Sequence, residues 1–170
     1  YAVKEHPEFA DIIKITEYTI NNRKEDILKG LYRERADVIA ISCYIWNFSM
    51  VKELLYDIHT IMPDTWILLG GPEASYQTGE IYKEFPFIKA IMVGEGEVTF
   101  LKLMELIAFA GKYEEKLKDI SGLSLKDLST GERELADLST VPFIYDDLTK
   151  FKNRIIYYES SRGCPYRCSY

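Results

Sequence analysis

The order of the segments predicts an α/β fold: a doubly wound, mostly parallel sheet with helices on both faces. Three short apolar runs carry that prediction, namely DVIAIS (37–42), TWILL (65–69) and IKAIMV (88–93). Each is followed by a small-residue or polar loop and then by apolar residues at helical spacing. Continuous apolar runs suit strands buried on both faces of a parallel sheet, and strands alternating with helices suit a doubly wound one.

Residues 10–19, ADIIKITEYT, alternate loosely and are rich in β-formers, so a strand is expected there. Asn21 and Asn22 then supply turn or capping chemistry. Lys24 to Arg35 carries Ile27, Leu28 and Leu31 at helical spacing. DVIAIS and the loop CYIWN follow, with Asn47 or Ser49 available to cap a helix whose apolar stripe is Val51, Leu54, Leu55, Ile58 and Met62. Pro63-Asp64 ends that helix, and TWILL runs straight into GGPEAS. A helix is expected near Gly79 to Glu84, and IKAIMV then runs into GEGE, Gly94 to Glu97. The helix Val98 to Ala110 closes the series, with Phe100, Leu101, Met104 and Ile107 facing inward. Ligands of such sheets bind outside the carboxyl ends of the strands, so CYIWN, GGPEAS and GEGE should share one rim.

Past Gly111 the character changes. Residues 119–146 read as a small β-hairpin, with its turn at Ser129-Thr130-Gly131, and then an extended linker. Arg154 to Ser160, RIIYYES, is again strand-like and leads into SRGCPYRCSY. The expected units are therefore an α/β domain over 1–112, a hairpin and linker over 113–146, and the start of another domain over 147–170.

The 170 residues are 47% hydrophobic with a formal charge of −6, enough apolar material for a core and too acidic for a general nucleic-acid binder. The expected partners therefore include neither nucleic acid nor membrane, since no apolar run is long enough to span a bilayer. The N-terminus lacks a signal-peptide pattern, which makes the cytoplasm the expected compartment. There is no initiator Met, and both ends look cut, so a fragment of a longer protein is expected. Three cysteines do not make a disulfide framework, and Cys43, after a buried strand, reads as a small apolar residue.

Cys164 and Cys168 have C-x3-C spacing, and the next cysteine of a C-x3-C-x2-C cluster pattern would fall at position 171. Three thiolates on one tight loop can hold three irons of a [4Fe–4S] cube. The competing reading is a pair of ordinary cysteines. Tyr170, before the expected third ligand, and the strand feeding the loop favour the cluster.

RIIYYESSRGCPYRCSY resembles the opening strand and cluster loop of radical S-adenosylmethionine enzymes. DVIAISCYIWN, WILLGGPE and IMVGEGEVTF resemble the cobalamin-binding-type, flavodoxin-like or Rossmann-like domain that precedes that catalytic domain, in the class that includes the anaerobic magnesium-protoporphyrin IX monomethyl ester cyclases. The resemblance implies a corrin ring over the strand ends and a nucleotide tail beside the sheet. It would put Ser42, Tyr44, Trp46 and Asn47 near cobalamin, and Gly70, Gly71, Pro72 and Glu73 along its tail. Gly94, Glu95, Gly96 and Glu97 would line the far side. Tight strand-to-helix turns are the competing reading of GG and GEGE, helix N-terminal charge that of Glu97, and plain packing that of Tyr44 and Trp46.

The resemblance also implies a parent enzyme in which Cys164, Cys168 and a further cysteine hold a [4Fe–4S] cluster. That cluster would cleave S-adenosylmethionine to a 5′-deoxyadenosyl radical for methylation, cyclisation or related chemistry. The fragment itself would be inactive, with cobalamin its own cofactor and the rest of the radical domain its partner. Two departures stand out. The D-x-H-x-x-G motif of histidine-ligated cobalamin domains is absent, and His59 is a poor candidate for cobalt. A first strand of such a domain would also precede residue 1. The sheet then either closes without it or takes another strand, RIIYYES being a candidate, which leaves room for a homodimer through exposed strands. The competing function is a non-catalytic docking or regulatory domain that retains no cobalamin. A receiver-like domain fits less well, because DVIAIS ends in Ser-Cys and not Asp.

Overall fold

The computed structural model describes residues 1–111, 114–131, 133, 136–143, 145, 147–153, 155–159, 161–163 and 166. Helix α1 is a single turn, Ala2–Glu5, and a 3-10 turn follows over Pro7–Asp11. The repeating part then reads α2 (Lys24–Glu34), β1 (Val38–Ser42), α3 (Phe48–Ile61), β2 (Trp66–Gly70), α4 (Pro72–Tyr76), α5 (Thr78–Glu84), β3 (Ala90–Met92) and α6 (Glu97–Glu105). Helix α6 continues as a π-helical turn over Leu106–Ala110. Two short strands, β4 (Leu123–Leu125) and β5 (Leu128–Ser129), complete the sheet.

The strand order is β1-β2-β3-β4-β5. β1, β2 and β3 are parallel, with Ala40 opposite Leu68 and Leu68 opposite Ala90. β4 is antiparallel to β3 and β5 antiparallel to β4. Period-two alternation gives the sheet two apolar faces. Ile39, Ile67, Leu69 and Ile91 join Ile27 of α2, the stripe Val51, Leu54, Leu55 and Ile58 of α3, and Ile81 and Phe85 of α5 and its end. Trp66, Leu68 and Ala90 point the other way and pack with Leu103 of α6, Leu117, Ile120 and Leu123. All five residues of β2 are buried, as a central strand covered on both faces requires.

The expected strand over 10–19 does not form. Residues 13–19 run without regular structure, and Ile15 is 85% exposed. β-propensity needs a neighbouring strand to act through, and the sheet offers this segment none. The hairpin does form, but its turn lies at Lys126-Asp127, because Leu125 pairs with Leu128. Thr130, expected in the turn, instead caps the open end of the ladder: Leu123 N–H donates to its hydroxyl at 2.9 Å. The hairpin also extends the main sheet through Met92–Leu123 pairing.

Ile155 to Glu159, the described part of RIIYYES, joins no strand, and Ile155 and Tyr157 are each 82% exposed. The sheet has β1 at its edge, paired with β2, and no described strand pairs with the outer side of β1. On α6, Phe100 and Ile107 are only partly buried, while Thr99 and Leu103 are fully buried. Thr99 is held there by its hydroxyl, which donates to the carbonyl of Ser121. None of the described helices is long and apolar enough to cross a membrane.

Candidate cofactor cavity

The carboxyl ends of β1, β2 and β3 open into one cavity of about 700 Å³. Its floor is one face of the sheet. Ala40, Ser42, Gly70 and Met92 contribute to it, the first three being small where β2 carries Leu68 and Trp66 lower down on the same face. Tyr44, Gly71, Pro72, Ser75 and Tyr76 form one rim, and Val93 to Glu97 form the other. Glu159 and Arg162 stand on the wall.

The loop after β1 is fixed by its own polar groups. Asn47 precedes α3, yet its side chain reaches backward: Tyr44 N–H donates to Oδ1 at 2.8 Å, and Nδ2 donates to the Ser42 carbonyl at 2.9 Å. Cys43 N–H donates to the Gly70 carbonyl at 2.7 Å, which continues the β1–β2 ladder one residue further. With the backbone held, Tyr44 and Trp46 stack at 4.6 Å and 7° on the protein's surface, with Trp46 65% exposed. An aromatic pair exposed at a cavity mouth, not spent on the core, is available for a large flat ligand.

The loop after β2 turns on Gly71, whose φ of 91° suits only glycine. Ser75 of α4 then ties two strand ends together, its hydroxyl contacting the Gly71 carbonyl at 2.9 Å and the Met92 carbonyl at 3.3 Å. Glu73 faces its own helix end and accepts from Gln77. After β3, Gly94 has φ of 79°, and a Cβ placed on Gly94 or Gly96 would meet open space. Backbone on that rim is therefore accessible to a ligand.

Glu95 and Glu97 point their carboxylates away from open solvent. Glu95 accepts from Ala136 N–H at 2.7 Å, and Glu97 accepts from the Arg162 guanidinium. That hydrogen bond, set against partial desolvation, holds the Glu97 carboxyl below its ordinary range and raises Arg162 further. Glu97 is also the first residue of α6, where a negative charge is favoured.

Nine of the twelve residues expected near a cofactor line this one cavity: Ser42, Tyr44, Gly70, Gly71, Pro72 and the four of GEGE. Trp46 joins through its stack on Tyr44, Asn47 acts through the loop backbone, and Glu73 lies on α4 with Gln77. Cys164 and Cys168 lie outside the described residues. Sequence reasoning did not single out the other lining residues, Ala40, Ile41, Ser75, Tyr76, Met92, Val93, Glu159 and Arg162. Ala40 and Met92 follow from strand period, two residues from Ser42 and from Ala90 on the same face. Arg162 had only a charge signal, two carboxylates in GEGE with no basic residue between them or beside them in the loop.

No histidine is among the described residues that line the cavity. His59 stacks on Phe87 at 4.2 Å near the end of α3, and His6 lies between Glu8 and Glu105. The described residues contain no cluster of three or more His, Cys, Asp or Glu suited to a metal ion. Cys43 is fully buried, and desolvation pushes its thiol up to about 12, so it behaves as an apolar residue.

The described lining thus combines small residues on the floor, an aromatic flank and accessible glycine backbone on one rim, and none of its described residues is a histidine. The B12 binding domain family matches residues 8–104 of this chain. Over 149 residues the chain is 27% identical to the cobalamin-dependent radical SAM methyltransferase TokK of Streptomyces tokunonensis, covering 79% of this chain and 21% of that protein. It is 26% identical over 150 residues to the 2-(S-pantetheinyl)-carbapenam-3-carboxylate methyltransferase of Streptantibioticus cattleyicolor, again 79% and 21%. It is 23% identical over 181 residues to the anaerobic magnesium-protoporphyrin IX monomethyl ester cyclase of Cereibacter sphaeroides, covering 97% of this chain and 28% of the cyclase. The chain spans between a fifth and a third of the length of these curated relatives. A mostly parallel α/β sheet with its cavity at the strand ends, matched over more than half the chain, makes this chain a member of the B12 binding domain family.

Proposed function

We propose that this chain binds cobalamin in the strand-end cavity and serves as the cofactor domain of a radical S-adenosylmethionine enzyme. The observation that carries the reading is the floor of Ala40, Ser42 and Gly70 beneath a cavity of about 700 Å³. Small side chains at Ala40 and Ser42 of β1, with glycine at Gly70 opposite Ser42, leave a slot beside the sheet that the nucleotide tail of cobalamin would fill. Tyr44 and Trp46 flank the mouth, where the corrin edge would rest. Gly94 and Gly96 let backbone approach it from the opposite rim.

Cobalamin, when bound, supplies a methyl carrier or a partner for cyclisation, the two kinds of reaction named for the relatives. The chain's own residues do the positioning. Asn47 holds the first loop, Ser75 joins the second strand end to the third, and Gly71 permits the close crossing between them. Cys164 and Cys168 would supply two of three thiolates to a [4Fe–4S] cluster in the parent protein. The cytoplasm is the proposed compartment, since such chemistry needs reduced thiols.

The test is an anaerobic incubation with hydroxocobalamin, desalting, and absorbance of the retained cofactor. Retention near one per chain is expected. A folded chain that retains none would overturn the cofactor reading and leave a docking domain in its place.

A further inference from the structure

Arg162 is held by carboxylates from two distant parts of the chain. Its Nε donates to Glu159 at 2.7 Å, its Nη2 donates to Glu97, and its Nη1 lies 3.6 Å from Glu95. Glu95, in the loop after β3, and Glu97, the first residue of α6, stand at the cavity rim more than sixty residues earlier. The same loop reaches a second later segment, since Glu95 accepts from Ala136 N–H at 2.7 Å. Arg162 stands two residues before Cys164. The acidic rim therefore gathers the chain that leads into the cysteine loop and lays it along the cavity wall.

The grip is incomplete. Among the described residues, Nη1 of Arg162 and Oε2 of Glu97 are buried without a hydrogen-bond partner, and 3.6 Å is too long for Glu95 to supply one. Two unsatisfied buried atoms offset part of what the charged contacts gain. Residues 155–159 are largely exposed and, among the described residues, are otherwise tied only to the segment just before them, Tyr145 donating to the Tyr157 carbonyl at 2.7 Å and Phe143 meeting Tyr158. A ligand at the cavity can therefore add to a grip that its own atoms leave unfinished.

We propose that Glu95, Glu97 and Arg162 form a latch that positions the approach to the cysteine loop against the cofactor cavity, and that ligand binding and latch closure favour each other. The coupling rests on the cobalamin reading above; the latch itself does not. Glu97 and Arg162 both line the cavity, so a ligand there touches the two sides that the latch joins. A ligand that contacts both sides binds the closed state better, and by linkage the closed state binds the ligand better by the same factor.

Chymotrypsin cleavage after Tyr157 and Tyr158 in the 170-residue chain tests this, with and without hydroxocobalamin, since a protease needs several residues of released chain around the bond it cuts. Without ligand, Arg162→Ala should speed that cleavage about tenfold while the urea unfolding midpoint stays as in the wild type. Glu95→Gln with Glu97→Gln should do the same from the other side. The swap Glu97→Arg with Arg162→Glu should recover part of the resistance, which a merely local packing role would not. Hydroxocobalamin should slow cleavage at these tyrosines in the wild type, and Arg162→Ala should weaken its binding by the factor by which closure is lost. Equal cleavage rates in wild type and Arg162→Ala would overturn the latch. Normal hydroxocobalamin affinity in Arg162→Ala would overturn the coupling. A chain that shows the Arg162→Ala effect but retains no hydroxocobalamin would overturn the cofactor reading and the coupling with it, while the latch stands.

Discussion

A Cβ on Gly71 would lie 2.5 Å from the carbonyl oxygen of Cys43 and 3.0 Å from its nitrogen. The loop after β2 thus crosses the loop after β1 at backbone contact, and Glu73 N–H donates to that same carbonyl at 3.3 Å. Gly71 also has φ of 91° and ψ of 167°, a region closed to other residues. Gly71→Ala therefore meets strain and collision together. A loss of about 3 kcal/mol in urea unfolding is expected. A wild-type midpoint in that variant would mean that the two loops are free to part.

Gly70, one residue earlier, predicts the opposite. A Cβ there would meet only the tip of Met92, at 3.2 Å from Cε, and that side chain can move. Alanine also suits a strand better than glycine, by about 0.5–1 kcal/mol. Gly70→Ala should keep or slightly raise stability while narrowing the cavity floor. Hydroxocobalamin titration should then show affinity falling at least tenfold. Unchanged affinity in a well-folded Gly70→Ala would move the ligand off this floor.

The contrast between these neighbours shows what was legible in the sequence. GGPE announced a tight turn, but which glycine bears the crossing depends on Cys43, nearly thirty residues away. The three apolar runs and the helices between them were readable because each is set by local pattern and burial. Residues 10–19 were not, since their alternation is a strand's and only the absence of a neighbouring strand decides otherwise. The hairpin turn was misplaced because Ser-Thr-Gly and Leu-Lys-Asp-Leu both carry turn chemistry, and pairing of Leu123 with Met92 chose between them. GEGE, expected at the strand ends, does line the cavity there. Its carboxylates' partner, Arg162, belongs to a segment sequence reasoning had assigned to the cluster loop alone.

Cys43 should be chemically silent in the folded chain. It is fully buried, and with a thiol pushed up to about 12 its thiolate fraction at pH 8 is roughly one in ten thousand. Iodoacetamide followed by peptide mass mapping should leave Cys43 unlabelled in buffer and label it fully in 6 M urea or another denaturing concentration. Rapid labelling in buffer would show that the end of β1 opens readily, against the ladder bond from Cys43 to Gly70.

His6 should make stability depend on pH. Its Nε2 meets Glu105 at 3.1 Å and its Nδ1 meets Glu8 at 3.2 Å, tying the first turns of the chain to the end of α6. The Glu105 contact is the largest cause of its raised pKa, opposed by desolvation. Lys102 competes for Glu105 at 2.7 Å, and the rings of Phe9 and Phe109 complete the surroundings. A raised folded-state value means that the protonated ring is favoured in the folded chain. The contribution is therefore fully present below the ordinary histidine value of about 6.5 and is lost as pH rises through the higher folded value. His6→Phe keeps an aromatic ring among Phe9 and Phe109 but removes the charge. The wild type's stability advantage over His6→Phe, from urea unfolding at fixed salt, should be largest near pH 5.5 and shrink toward pH 8. Groups common to both proteins cancel in that difference, so a gap that stays constant across the range would rule out a charged His6–Glu105 tie between α1 and α6.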